Sequence, residues 1–264
     1  MKIGMNTLYK MDVDEKEQLR IIKEAGFDST MLSYFVGDNV WEMYDKAIAV
    51  GLEVANIHAP ISEVNSVWTD STDGDDYIEI QKERVDFCHS AQISTLVLHT
   101  TFLKDVPPLS EIGITRHKRL GEYAEKNGVR LAFENVEPYP HLDAVLSAVG
   151  DFHGFCWDIG HNRAYAPHID FSNLYGDRLI AVHIHDNFGM SEKDILNPKD
   201  DKHFIPYDGN ADWEEFVNKI KKTSFKGPLT LEISSANSQD YKDMGMVKVA
   251  SIAYERICKI RNMF

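Results

Sequence analysis

Two histidines and an aspartate stand together in "VHIHDNF", residues 182 to 188, inside a run that is otherwise apolar. Imidazole and carboxylate side chains gathered this way are general acids and bases or ligands for a divalent cation. The same residue types recur at His58, His99, Glu134, Asp158 and Glu232, each near the end of a short apolar run. Burying a carboxylate costs several kcal/mol unless it is paired or bound to a cation. Three acids with several imidazoles in one place therefore call for a divalent metal. Histidine, aspartate and glutamate without thiolate suit manganese, zinc, cobalt or magnesium, and the imidazole content favours zinc or manganese. His183 and His185 are two apart, so on a strand they face the same side.

The elements that must carry these groups alternate along the chain. The expected strands are 2 to 7, 28 to 35, 53 to 59, 95 to 101, 129 to 135, 154 to 159, 180 to 186 and 229 to 234. Between them, helical spacing predicts helices at about 14 to 25, 38 to 50, 75 to 91, 112 to 127 and 241 to 261. "DWEEFVNKIKK" predicts another, with Asp212 as N-cap and Trp213, Phe216, Val217 and Ile220 as its apolar stripe. Only short helical pieces are expected after "GFCWDIGH". "EAGF", "AVGL" and "KNGV" each put a glycine after a helix and before a strand, as C-terminal caps do.

Eight alternating units without a linker or low-complexity tract predict one α/β domain over residues 1 to 264, a single (β/α)8 TIM barrel. A length of 264 residues fits one barrel, although it would equally permit two ordinary domains. A doubly wound open sheet is the competing architecture, but no GxGxxG follows the first strand. In a barrel, all seven of the residues singled out lie at C-terminal strand ends, where such folds build active sites. The loop from Asn187 to about Ala211 carries "DDKHFIPYDG" and is long enough to be a functional lid, or else a solvated charged run with an incidental His203.

Composition narrows the partners. A net charge of −14 with no basic run disfavours nucleic acid and leaves small substrates open. No apolar run approaches the roughly 20 residues of a membrane helix. The start "MKIGMNTLYK" lacks the zones of a secretory signal, so a cytoplasmic location is expected. Cys88, Cys156 and Cys258 have no CxxC spacing and read as core or near-core thiols.

Taken in order, "NIHAP", "LVLHTT", "LAFENV", "DIGH", "VHIHDN", "DKHFIP", "DGNADW" and "LTLEI" resemble the xylose-isomerase-like barrel superfamily, which holds sugar isomerases and epimerases and also endonuclease IV of AP endonuclease family 2. The resemblance to the sugar enzymes implies a metal on Glu134, Asp158, His183 and Glu232, with Glu134 and Glu232 as catalytic acid and base on an enediolate. It prefers His183 to His185 because the family places a histidine three residues before an acid, here Asp186. The substrate it implies is a keto sugar or sugar phosphate, and an oligomer is compatible with it. In that reading His185 is a neighbour or substrate contact, whereas resemblance to endonuclease IV implies further metal ligands at His58, His99, His161, Asp201 and His203. In the sugar enzymes these same positions can instead bind hydroxyls.

"NVEPYP" after Glu134 and "TTF" after His99 depart from the endonuclease pattern. A non-catalytic sugar-binding barrel is a third reading, disfavoured by two buried acids that binding alone does not need, and lyase chemistry through the same enediolate is a minor one. Trp68, Tyr139, Phe188 and Tyr207 are candidates for an apolar wall against a sugar, with plain packing the commoner role for such aromatics.

Overall fold

The computed structural model describes all residues except 36–38, 104, 137 and 194. Eight parallel strands close into a barrel in chain order: β1 (Ile3–Met5), β2 (Ser29–Ser33), β3 (Glu53–His58), β4 (Thr95–His99), β5 (Arg130–Glu134), β6 (Gly154–Asp158), β7 (Leu179–Ile184) and β8 (Leu229–Leu231). β1 pairs with β8, which completes the ring. The expected (β/α)8 barrel is the observed one.

Each strand is short and its side chains alternate between two environments. Leu96 and Leu98, Leu131 and Phe133, Phe155 and Trp157, and Val182 and Ile184 join the large apolar cluster shared with the helices. Val97, Ala132, Cys156 and Ala181 form a separate small cluster. Because side chains alternate with period two, the residues next to that second set, His99, Glu134, Asp158 and His183, continue on its side of the strands. The lumen therefore has a floor of small side chains, with histidines and acids above it.

The helices are α1 (Glu15–Ala25), α2 (Val40–Ala49), α3 (Thr72–Ser90), α4 (Glu111–Lys126), α5 (Tyr139–Ala148), α6 (Ile159–Tyr165), α7 (Phe171–Tyr175), α8 (Trp213–Ile220), α9 (Gln239–Met244) and α10 (Met246–Arg261). Asp212 caps α8 by accepting the Glu215 N–H at 2.8 Å, and the Trp213, Phe216, Val217 and Ile220 stripe is buried, as expected. Gly26, Gly51 and Gly128 all adopt positive φ at the ends of their helices.

Three readings need correction. The helix expected over 241 to 261 is two, broken where Gly245 takes φ of 74°. α3 starts at Thr72, three residues before the expected 75, because the acidic first turn lacks apolar periodicity but suits a helix N-terminus. α5 was not expected, since Pro138 and Pro140 beside Tyr139 mask a helix start. The helix expected from 38 begins at Val40, and position 38 itself lies outside the described residues. Cys88 and Cys156 are buried and Cys258 half-buried, all three as free thiols. Among the described residues no helix is long and apolar enough to cross a membrane.

Candidate metal centre

His58, His99, Glu134 and Asp158 are the last residues of β3, β4, β5 and β6, His183 is the penultimate residue of β7, and Glu232 directly follows β8. His185 lies just beyond β7, His161 is on α6, and Asp201 and His203 come from the long loop after β7. All ten converge in the barrel mouth. The sheet register sets His99 beside Glu134 and Asp158 beside His183.

Glu134, wholly buried, is the hub. Its Oε2 lies 3.2 Å from His58 Nε2, 3.5 Å from His99 Nε2 and 3.1 Å from His183 Nδ1, and its Oε1 lies 3.0 Å from His161 Nδ1. His183 Nδ1 is also 2.7 Å from Glu232 Oε2, so it sits between the two glutamates. Asp158 Oδ1 lies 3.0 Å from His185 Nε2, whereas Asp201 meets His161 at 3.3 Å and His203 at 3.1 Å. The donors form three compact groups: His58, Glu134, His183 and Glu232; His99, Glu134 and His161; and His161, His185, Asp201 and His203. Asp158 stands at the edge of the third.

Several positioning residues were not singled out in the sequence. Asn135 accepts the Asp158 N–H at 2.8 Å and donates to the Asp158 carbonyl at 2.9 Å, which fixes the end of β6 from β5. Asp158 is also the N-cap of α6, its Oδ1 accepting the His161 N–H at 2.6 Å. Asn6 clamps the far side by two 3.0 Å bonds to the Ile233 backbone, next to Glu232. His203 donates through Nδ1 to the Glu232 carbonyl at 2.8 Å, which ties the long loop to the end of β8. The Asn135 and Asn6 clamps join neighbouring strand ends, so only the closed barrel reveals them.

Asp186 has a role other than its motif suggests. It is fully buried and accepts backbone N–H groups from Asn187, Tyr207 and Ala211, pinning both ends of the loop that carries Asp201 and His203. Of the four aromatic candidates, Trp68 is packed against His117 and His141 with its indole N–H on the Thr100 carbonyl, and Tyr139 packs against Phe171 and Tyr175. Phe188 and Tyr207 are exposed on the long loop. The wall of the mouth is instead built by Phe102, Leu103, Val136 and Tyr165, around a cavity of about 160 Å³. A cleft of about 900 Å³ adjoins it at His203 and Glu232 and carries Tyr9 and Phe35.

Burial opposes charge on Glu134, Glu232, Asp201, His183, His161, His203 and His99, and their partners decide the outcome. At Glu134 burial is outweighed by His183, His99 and His161, which hold the carboxyl well below its usual range. Glu232 is held low against burial chiefly by His183, and Asp201 by His203 and His161. His183 is driven well above the ordinary imidazole value, with Cys156, Glu134 and Glu232 overcoming burial. His161 is raised similarly by Asp158 and Asp201, and His203 to about 9 by Asp201. At His99 burial prevails and the value falls. A cation entering this mouth must displace protons from the imidazoles held above their ordinary value, so its affinity weakens as pH is lowered.

The donor set fits such a cation. Both nitrogens of His99, His183 and His185, His161 Nδ1, and one oxygen each of Glu134, Asp158, Asp201 and Glu232 are buried without a hydrogen-bond partner among the described residues. Several of these atoms lie about 3 Å apart but off hydrogen-bond direction, as donors do when they converge on a common third point. Leaving so many buried polar atoms unmatched would cost about 1–3 kcal/mol each, and a bound ion would match one atom of each residue that ligates it.

Comparison with known proteins places this geometry in a family. The pattern of the family described as xylose isomerase-like TIM barrel matches residues 19–248. An uncharacterized protein of Sinorhizobium fredii, y4fM, is 28% identical over 258 residues, covering 82% of this chain and 80% of the relative. Among solved structures, the IolI protein with a zinc atom superposes with a TM-score of 0.80 at 17% identity, covering 100% of this chain and 99% of that one. A D-psicose 3-epimerase of Clostridium cellulolyticum H10, solved with D-tagatose, gives 0.77 at 13% identity, with 100% and 99% covered. A xylose isomerase-like TIM barrel/4-hydroxyphenylpyruvate dioxygenase fusion protein gives 0.79 at 17% identity, and there the chain spans 43% of the other's length and 99% of its own. At these identities the structural likeness is one of fold.

Proposed function

The chain belongs to the xylose isomerase-like TIM barrel family, and on that premise we propose that it is a divalent-metal-dependent isomerase or epimerase of keto sugars or sugar phosphates. The observation that carries this reading is the pair of carboxylates flanking one imidazole: Glu134 at 3.1 Å and Glu232 at 2.7 Å from His183 Nδ1. Of the quartet the resemblance implies, Glu134, His183 and Glu232 share one donor group with His58 and would hold the ion, whereas Asp158 stands against His185 beside the outer group. Zinc or manganese is favoured by the mixed nitrogen and oxygen donors. Bound there, the ion would supply Lewis-acid stabilisation of the charge that develops on adjacent substrate oxygens as an enediolate forms.

The chain's own residues supply the rest. Glu134 and Glu232 come from strands on different sides of the mouth and are ionised at neutral pH, so each can take or return a proton at one face of the substrate carbon. Placement on two faces is what inversion at carbon requires. His161, His185, Asp201 and His203 line the outer part of the site and would orient hydroxyl groups. Phe102, Val136 and Tyr165 would exclude water from the reacting carbon. A net charge of −14 suits a small substrate over a nucleic acid.

One observation favours a second reading, a multinuclear zinc phosphodiesterase of the endonuclease IV kind: His58, His99, His161, Asp201 and His203 complete three overlapping donor groups. Elemental mass spectrometry on the purified protein separates the two. One ion per chain, retained in the His58→Ala/His99→Ala double variant, together with C–H exchange into a ketose in heavy water that Glu134→Gln and Glu232→Gln each cut by about 10²- to 10⁴-fold, is the expected result. Two or three ions, lost with those histidines, and cleavage of abasic DNA would replace the isomerase with the hydrolase.

A further inference from the structure

A second cavity, of about 430 Å³, lies behind the loop that follows β3. Its inner wall is one face of α3, where Tyr77, Gln81 and Arg84 recur at helical spacing. Gln81 is fully buried, and both ends of its amide lack a hydrogen-bond partner among the described residues. The other buried glutamine, Gln18, has its amide satisfied by the backbone of Leu8 and Val13.

Arg84 is only 4% exposed, and its Nε donates to the Tyr34 carbonyl at 2.9 Å. Its guanidinium carbon also lies over the Tyr34 ring, 5.5 Å from the centre, but among the described residues its two terminal nitrogens have no hydrogen bond and no carboxylate partner. Arg116, buried to the same degree, shows the ordinary arrangement: its guanidinium is shared among the carbonyls of Val67, Thr69 and Ser71 and the Asp75 carboxylate. A buried guanidinium with a free fork beside an unmatched amide is a receptor for a planar anion. The outer rim has the opposite sign, with Glu63, Asp73 and Asp76 exposed around it.

We propose that this cavity is a ligand site for a small zwitterion of the α-amino acid kind, its carboxylate held by Arg84 and Gln81 and its ammonium facing the acidic rim. A dianion such as phosphate is disfavoured by the three rim carboxylates, and a plain carboxylate leaves them unused. The site shares a wall with the metal centre: Pro60 and Ser62 line it, while Ile61 between them lines the mouth. The assignment stands independently of the reaction at the metal.

Calorimetry and thermal melting of the metal-loaded protein with the standard amino acids, lactate, acetate and inorganic phosphate test it. At least one amino acid should raise Tm progressively with concentration and bind more tightly than lactate, acetate or phosphate. Arg84→Gln should weaken that binding by about tenfold or more, the loss of a bidentate charged contact. Gln81→Leu removes an unmatched buried amide, so it should weaken binding while raising the ligand-free Tm, which keeps the test valid if the arginine variant does not fold. Amino acids that leave Tm and heat unchanged would overturn the proposal. So would phosphate or lactate binding more tightly, or binding that both variants retain.

Discussion

Replacing Asp186 by asparagine tests how the long loop is held over the mouth. The carboxylate accepts three backbone N–H groups, with Asn187 at 2.9 Å and Ala211 at 3.1 Å on Oδ1 and Tyr207 at 2.8 Å on Oδ2. The loop passes so close that a Cβ on Gly209 would lie 2.3 Å from Asp186 Oδ1. In Asp186→Asn the amide oxygen can keep the first two bonds, but its NH2 group meets the Tyr207 N–H donor to donor. One charge-assisted bond worth about 1.5–3 kcal/mol is lost, the remaining two weaken, and a buried N–H is left unmatched. The sum is about 3–5 kcal/mol, large enough to open the loop locally while the barrel stays folded. Asp201 and His203 leave with it. The expected result is fast hydrogen exchange at the amides of 187, 207 and 211, faster proteolysis between 187 and 203, and turnover reduced by at least about tenfold. Gly209→Ala should do the same. Exchange and proteolysis unchanged from the parent, with a stability loss under about 1 kcal/mol, would refute this account of the loop.

Two further predictions concern the support of the centre and its pH range. Asn135→Ala removes both bonds that hold the end of β6, so metal affinity should fall about 10- to 100-fold, read by competition with a chelator of known affinity, with little loss of helicity. His153, wholly buried, accepts the Leu131 N–H on Nδ1 and donates from Nε2 to the Gly121 carbonyl, which leaves no room for a second proton. Burial first, with Arg178 and Arg130 adding to it, lowers its pKa to about 4. A folded value below the unfolded one means stability is full above about pH 6.5 and is lost as pH falls towards 4. The unfolded chain takes the proton first. Between pH 7 and 4.5 this single group accounts for about 2 kcal/mol, so urea unfolding of His153→Gln should show that much less acid sensitivity. An unchanged pH slope would assign the acid loss to other groups.

The barrel was legible because its signal is distributed. Eight apolar runs and glycines such as Gly26, Gly51 and Gly128 each carried part of it. The strand-end residues were legible for a related reason: period-two alternation makes Leu98 and His99, or Phe133 and Glu134, read as one outward and one inward residue. What the sequence hid depends on pairs brought together by closure. Asn135 has no visible partner until β5 lies against β6, and the clamp of Asn6 on Ile233 joins residues 227 apart. Among the described residues, the missing partners of the Gln81 amide and of the terminal nitrogens of Arg84 become visible only in three dimensions. α5 was hidden by local chemistry, two prolines at its start, and the break in the last helix by a single glycine.

The two histidines of "VHIHDNF" show how strand geometry divides the work of this mouth. Residues two apart on a strand face the same way but stand roughly 6.5–7 Å apart along it. A single ion with ligand distances near 2 Å is therefore poorly placed to be held by both. His183 falls between Glu134 and Glu232, and His185 falls against Asp158 and stacks on His203 at 3.8 Å. The strand thus contributes to two sets of donors at two depths, with Asp158 of the adjoining β6 beside the outer one and Glu134 of β5, one strand further round, in the deeper one. The deeper set rests on the strand ends alone, whereas the outer one depends on the loop carrying Asp201 and His203. A change in that loop can therefore alter the outer set and leave the deeper glutamates in place. If one ion serves the reaction, the outer histidines are free to meet substrate; if more than one is held, the same loop decides how many. Loss of only the outermost ion on opening the loop, with the inner one retained, is the outcome this division requires of a multinuclear centre.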